Sequence, residues 1–143
     1  MKSIDVYPLP SLFEPPELRG TCAVVVDVLR ATTTVLCALA SGAERVVPLL
    51  DVDEAIRRRT EYPEGSVVLG GERDGKRIDG FDLGNSPGSF TPEVVAGKTV
   101  LFTTTNGTAA MNAARLAEPI FLACFLNAAA ASWPRTCSLG LPR

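Results

Sequence analysis

Apolar positions fall into short, nearly continuous runs separated by glycine, proline and acidic residues. Residues 22–28, 45–50, 66–69, 98–103 and 120–125 form five such runs, and the first is a β-branched run of the kind found in strands buried on both faces. Helical spacing follows the first run at residues 32–41, where Val35, Leu36, Leu39 and Ala40 are apolar and Gly42 stands ready to end the helix. It follows the fourth at residues 107–116, with Met111, Ala114 and Leu116 inward. A short helix opens at Asp51 and carries Arg57, Arg58 and Arg59, and another begins at residues 127–131. Residues 4–7 are a further strand candidate, followed by a connector through Pro8, Pro10, Pro15 and Pro16 that cannot be regular helix. Strands alternating with helices predict an α/β fold, a layered α/β/α arrangement with a mostly parallel or mixed sheet.

Two stretches break the pattern. Residues 70–92 read as one long irregular segment dense in glycine, aspartate and asparagine. Loops longer than ~15 residues in compact domains are usually functional or disordered. Ile78, Phe81 and Leu83 supply apolar anchors, so an ordered loop folded over a site is expected. Residues 132–143 have neither helical nor strand period and contain two prolines. The expected organisation is a partial domain over residues 1–131, incomplete at its C-terminus, followed by an unmatched tail.

With 143 residues, 46% of them hydrophobic, the chain suffices for one domain with a substantial core. A formal charge of −2 gives no general attraction to nucleic acid or to anionic membrane. No apolar run reaches the ~18 residues of a membrane span, and residues 1–5 lack the core of a signal peptide, so a soluble cytoplasmic protein is expected. The four cysteines form no C-x-x-C pair; Cys22, Cys37 and Cys124 sit in apolar elements and read as buried free thiols. Histidine is absent, which removes Ser-His-Asp and Cys-His catalysis and His-ligated zinc from this chain. Hydrolytic chemistry must then rest on carboxylates, a hard metal ion, lysine, arginine or hydroxyls.

Such groups gather where the first strand meets its helix, in Asp27-Val28-Leu29-Arg30-Ala31-Thr32-Thr33-Thr34. An aspartate there can hold a metal and an arginine can pair with an anion, or the aspartate and threonines can cap the helix. An offset of 76 positions lays this corner on a second one, Thr103-Thr104-Thr105-Asn106-Gly107-Thr108, which suggests an internal duplication or two similar phosphate-cradling turns on one sheet edge. Asp51-Val52-Asp53 superficially resembles the nucleophile signature of haloacid-dehalogenase-type phosphatases, but Ala55 stands where threonine is expected, and Asp51 and Asp53 read as a helix cap. In a parallel sheet the strand ends converge on one edge. That would bring Asp27, Glu72, Asp79 and Asp82 together as oxygen ligands suited to magnesium, with Arg30 and Arg73 facing an oxyanion.

Residues 26–34, then 69–73 with Gly80-Phe81-Asp82-Leu83-Gly84-Asn85-Ser86-Pro87, then 103–108, resemble the signature blocks of the 2-phosphosulfolactate phosphatase family. The resemblance implies a magnesium-dependent phosphatase of α/β fold that hydrolyses 2-phospho-3-sulfolactate to 3-sulfolactate and phosphate, a step toward coenzyme M in methanogens. Its partner would be a small phosphorylated or sulfonated metabolite, and a homodimer is one assembly open to it. Carried over by position, Asp27, Glu72 and Asp82 are the catalytic and metal candidates. Arg30, Arg73, Asn85, Ser86, Asn106 and Thr108 are the candidates for phosphate or sulfonate contacts. Family members continue beyond residue 127 through further strands and helices. An inactive fragment, or a module that binds such an anion without turnover, are the alternatives.

Overall fold

β5 (Thr99–Thr103) is buried along its whole length and lies at the centre of the larger sheet in this computed structural model, which describes residues 3–131. It pairs in parallel with β2 (Arg45–Pro48) on one side and β3 (Val67–Arg73) on the other. β3 turns back into the short antiparallel β4 (Lys76–Arg77), giving the order β2-β5-β3-β4. β1 (Ala23–Val26) and β6 (Ile120–Ala123) form a separate parallel pair, so the described strands make two sheets where one was expected. The helices are α1 (Ala31–Ala40), α2 (Val52–Arg59), α3 (Pro92–Val95), α4 (Gly107–Ala113) and α5 (Ala128–Ala131).

Side chains alternate across a strand, and β5 shows what each face meets. Val100 and Phe102 join Val35 and Ala38 of α1, Met111 after the α4 start, and Val25 of β1 in one core. Leu101 turns to the other face, where it joins Leu69, Phe81 and Ala55 of α2. Helices on both faces of a mixed sheet confirm the layered α/β class. Each fully buried Leu or Phe of these clusters contributes about 1.5–3 kcal/mol of apolar burial. Val25 and Ala23 of β1 and Leu122 of β6 pack into the core shared with the larger sheet.

Some expectations need correction. Residues 4–7 form no strand, and Ile4 and Val6 are exposed; a lone extended segment without a pairing partner gains no ladder. β3 runs past Leu69 to Arg73, so residues 70–73 are strand rather than loop. Two glycines permit this. A Cβ on Gly70 would press on the Phe90 ring, and Gly71, at φ 155°, has the Thr103 backbone where a side chain would go. The rest of the segment is ordered as expected: Gly71 N–H donates to the Leu83 carbonyl, Leu83 N–H donates to that of Leu69, and Phe81 is buried. Asp51 caps α2 by accepting from Glu54 N–H at 2.7 Å. Cys37 and Cys124 are free thiols, Cys124 buried and Cys37 half-buried, whereas Cys22 is disulfide-bonded rather than free. The tail at residues 132–143 lies outside the described residues.

Candidate active site

The β1-to-α1 corner is closed by hydroxyls. Thr32 Oγ1 accepts from Asp27 N–H and donates toward the carbonyls of Asp27 and of Ala123 in β6. Thr33 donates to the Val28 carbonyl and Thr34 to that of Asn85. The threonines are therefore structural, fastening the corner to β6 and to the long loop. Asp27 is different: its carboxylate accepts no hydrogen bond from any described residue, and α1 begins without a side-chain cap. The capping reading of Asp27 fails.

The second corner uses the same device. Thr108 Oγ1 donates to the Thr104 carbonyl at 2.8 Å, and Thr104 Oγ1 accepts from Thr108 N–H. With its hydroxyl inside this turn and the residue buried, Thr108 fastens the corner. The corners meet at the positions the offset pairs. A Cβ on Gly107 would collide with Ala31 Cβ and come within 3.0 Å of Asp27 Oδ2. Glycine is what lets α4 abut α1 with the Asp27 carboxylate beside the contact.

A pocket of about 300 Å³ opens at this junction. The first corner supplies Asp27, Leu29, Arg30 and Ala31, and the second Thr104, Thr105, Asn106 and Gly107. Glu72, Asp74 and Gly75 enter from the β3–β4 hairpin and Asn85 from the long loop. Arg30 has no ion-pair or hydrogen-bond partner among the described residues, and Asn106 heads α4 without capping it by its side chain. Asn85 is 7% exposed and its Oδ1 is buried without a partner.

Glu72, also 7% exposed, ties two walls of the pocket together. Its carboxylate accepts from Thr105 N–H and Gly75 N–H, each at 2.8 Å, and from Thr105 Oγ1. Burial alone pushes its pKa up, but these donors and the nearby Arg73 charge outweigh burial and hold it below the ordinary carboxylate value.

Three expected site residues are not brought into the pocket. Arg73 donates to the carbonyls of Glu72 and Leu50 and to Thr103 Oγ1, buttressing the ends of β2, β3 and β5. Asp82 accepts from Leu69 N–H at 2.8 Å and pairs with Arg59, beside the second core. Ser86 is exposed at the start of a short 3-10 turn. Among the described residues no group of three or more Asp, Glu, Cys or His is placed to hold a metal, so Asp27, Glu72 and Asp82 do not assemble as a set. Conversely, Asp74, and Thr105 of the second corner, line the pocket although neither was among the candidate site residues. Asp74 sits at φ 53° before Gly75 at φ 77°, and the Asp-Gly pair was the sequence signal for that tight hairpin.

Fold and site thus define an α/β protein whose acidic pocket, with an arginine that is unpaired among the described residues, lies at the C-terminal ends of parallel strands. The 2-phosphosulpholactate phosphatase family matches residues 7–133, and the chain belongs to that family. It is 50% identical over 111 residues to a protein of Caldicellulosiruptor saccharolyticus named "Probable 2-phosphosulfolactate phosphatase", covering 78% of this chain and 45% of that one. Relatives of the same name in Symbiobacterium thermophilum and Clostridium perfringens are 49% identical over 114 residues and 42% over 126. These matches cover 80% and 87% of this chain and 49% and 51% of the relatives, so the chain spans about half the length of the curated relatives it matches. Among the described residues no helix is long and apolar enough to cross a membrane.

Proposed function

We propose that this pocket belongs to a magnesium-dependent phosphatase that hydrolyses 2-phospho-3-sulfolactate, or a similar small phosphate ester, to the alcohol and phosphate. The observation that carries this reading is the presence, in one pocket, of a carboxylate and a guanidinium that no described residue partners, Asp27 and Arg30. Family membership supports the same substrate class.

Magnesium typically uses one or two carboxylates, with waters and a substrate phosphate completing its shell. Asp27, whose carboxylate accepts from no described residue, fits that requirement; Glu72 lines the same pocket as the second carboxylate. When bound, the ion supplies charge neutralisation on the phosphoryl oxygens and a more acidic water. The remaining work falls to the chain's own groups. Arg30 pairs bidentately with an oxyanion, and the Asn85 and Asn106 amides orient it. The Glu72 clamp keeps the two walls at a constant spacing, so the ester is held without reorganisation as charge develops.

The test is phosphate release from 2-phosphosulfolactate by the 143-residue chain. Release is expected with magnesium, not in EDTA, and not from Asp27→Asn. Undiminished release in EDTA would overturn the metal role. Micromolar binding by calorimetry without phosphate release would replace the phosphatase with a binding module.

A further inference from the structure

Asn85 carries an oxygen with nothing to accept. The residue is 7% exposed, its Oδ1 is buried, and no described residue donates to it. Among the described residues it is the one buried side-chain oxygen or nitrogen in that state. Leaving a buried acceptor unpaired costs its full desolvation, which is why native structures hold few of them. The sequence itself removes the ordinary local remedy. An asparagine oxygen in a loop commonly accepts from the backbone N–H two residues on, but here that residue is Pro87, which has no N–H.

The backbone around this orphan is fixed. Two residues upstream Leu83 bonds to β3 through both its N–H and its carbonyl, and the fully buried Thr34 of α1 donates to the Asn85 carbonyl at 3.3 Å. Only the amide keeps freedom, about a broad terminal torsion. Asn85 lines the pocket of about 300 Å³, so the donor that Oδ1 lacks can enter from there. Of the other groups lining it, Glu72 already accepts from Thr105 and Gly75, whereas Arg30 is available to an oxyanion. A fully ionised oxyanion, such as sulfate or a sulfonate, presents only acceptors and meets Oδ1 with like partial charge. A singly protonated phosphoryl group has the same shape but carries an O–H that can donate.

We propose that Asn85 is the residue by which the pocket tells a phosphoryl group from a sulfonyl one. Its Oδ1 accepts the O–H of singly protonated phosphate and repels the fully ionised sulfur oxyanion of the same shape. The inference rests on the phosphatase reading and deepens it, since a substrate bearing both groups then has one favoured orientation, with the phosphoryl end at Asn85 and the sulfonate away from it.

The test titrates inorganic phosphate and sulfate into the 143-residue chain by calorimetry, in magnesium-containing buffer at about pH 8, where both are dianions that differ by a single O–H. The wild-type chain is expected to bind phosphate at least about tenfold more tightly than sulfate. Asn85→Leu keeps the bulk, removes the acceptor, and is expected to bring the two affinities within about threefold. The charges of Asp27, Arg30, Glu72 and Asp74 are the same in both proteins, so the ratio of affinities reports on position 85. Asn85→Asp places an oxygen at both terminal positions and is expected to keep the preference, whatever its added charge does to both affinities. That comparison stands by itself should the leucine variant fail to fold, which circular dichroism checks. A preference lost in Asn85→Asp would mean that the amide N–H faces the anion. Equal binding by the wild type, or an undiminished preference in Asn85→Leu, would mean that Oδ1 does not distinguish the two, and loss of magnesium affinity at a constant ratio would make it a cation ligand instead. Each of these overturns the inference and leaves the oxyanion pocket standing, whereas a wild-type chain that binds neither anion removes the phosphatase reading with it.

Discussion

Gly107 and Ala31 touch so closely that no side chain fits between the start of α4 and the start of α1, and Asp27 Oδ2 lies beside the contact. The two residues occupy equivalent places in successive strand-corner-helix units, 76 positions apart. The pocket exists because these corners meet.

Gly107→Ala is therefore expected to be more damaging than an ordinary glycine replacement in a helix. The added methyl must displace α4 or α1, and overpacking of this kind costs about 1–3 kcal/mol. Urea denaturation measures the loss, and Ala31→Gly in the same chain is expected to recover most of it. Additive losses in the double variant would mean that the two sites do not compete for one space.

Thr32→Val tests the fastening of the first corner. Valine keeps the shape but leaves the Asp27 N–H and the Ala123 carbonyl without their hydroxyl partner in a fully buried position. A loss of about 1–3 kcal/mol is expected in urea titrations. Thr33→Val removes only a bond to Val28 in a half-buried setting and is expected to cost less.

Glu72 makes stability depend on acid. Its folded-state pKa lies below the ordinary value of 4.5, so its contribution is fully present above that value and is lost as pH falls through the lower folded value. Glu72→Gln removes the charge that the Thr105 and Gly75 N–H groups face, and is expected to cost about 1–3 kcal/mol at pH 7. Urea titrations across pH should show the two proteins converging at acid pH. A constant gap from pH 7 down to pH 3 would mean that shape rather than charge holds the clamp.

What could be read from the sequence was local chemistry, and what could not was direction. The strand-corner-helix units and the spacing that pairs Ala31 with Gly107 were legible because each is set by its own few residues. So was the ordered loop, through Phe81 and Leu83. The roles of the arginines were not. Arg30 and Arg73 both follow apolar strands, but Arg73 turns away from the pocket because the order β2-β5-β3 puts the Leu50 carbonyl and Thr103 hydroxyl within its reach. Asp82 was misplaced for a similar reason: the loop returns in parallel beside β3, which brings its carboxylate to Leu69 N–H and to Arg59 rather than to the strand ends. Asp74 was hidden by treating residues 70–92 as a single loop when its first residues are a hairpin.

The two arginines then separate binding from stability. Arg30 lines the pocket with no partner among the described residues, so Arg30→Ala is expected to remove a charge-assisted contact to the anion and little else. Affinity for inorganic phosphate, or for phosphosulfolactate, is expected to fall about tenfold to a hundredfold by calorimetry, the equivalent of about 1.5–3 kcal/mol, with the denaturation midpoint unchanged. Arg73 spans three strand ends through three hydrogen bonds, two of them to backbone carbonyls. Arg73→Ala is expected to lower the denaturation midpoint and to leave the affinity of the protein that remains folded within about twofold, since its guanidinium does not line the pocket. If Arg73→Ala instead abolished binding while Arg30→Ala lowered only stability, the anion would have to sit at the ends of β2 and β5 rather than between the two corners.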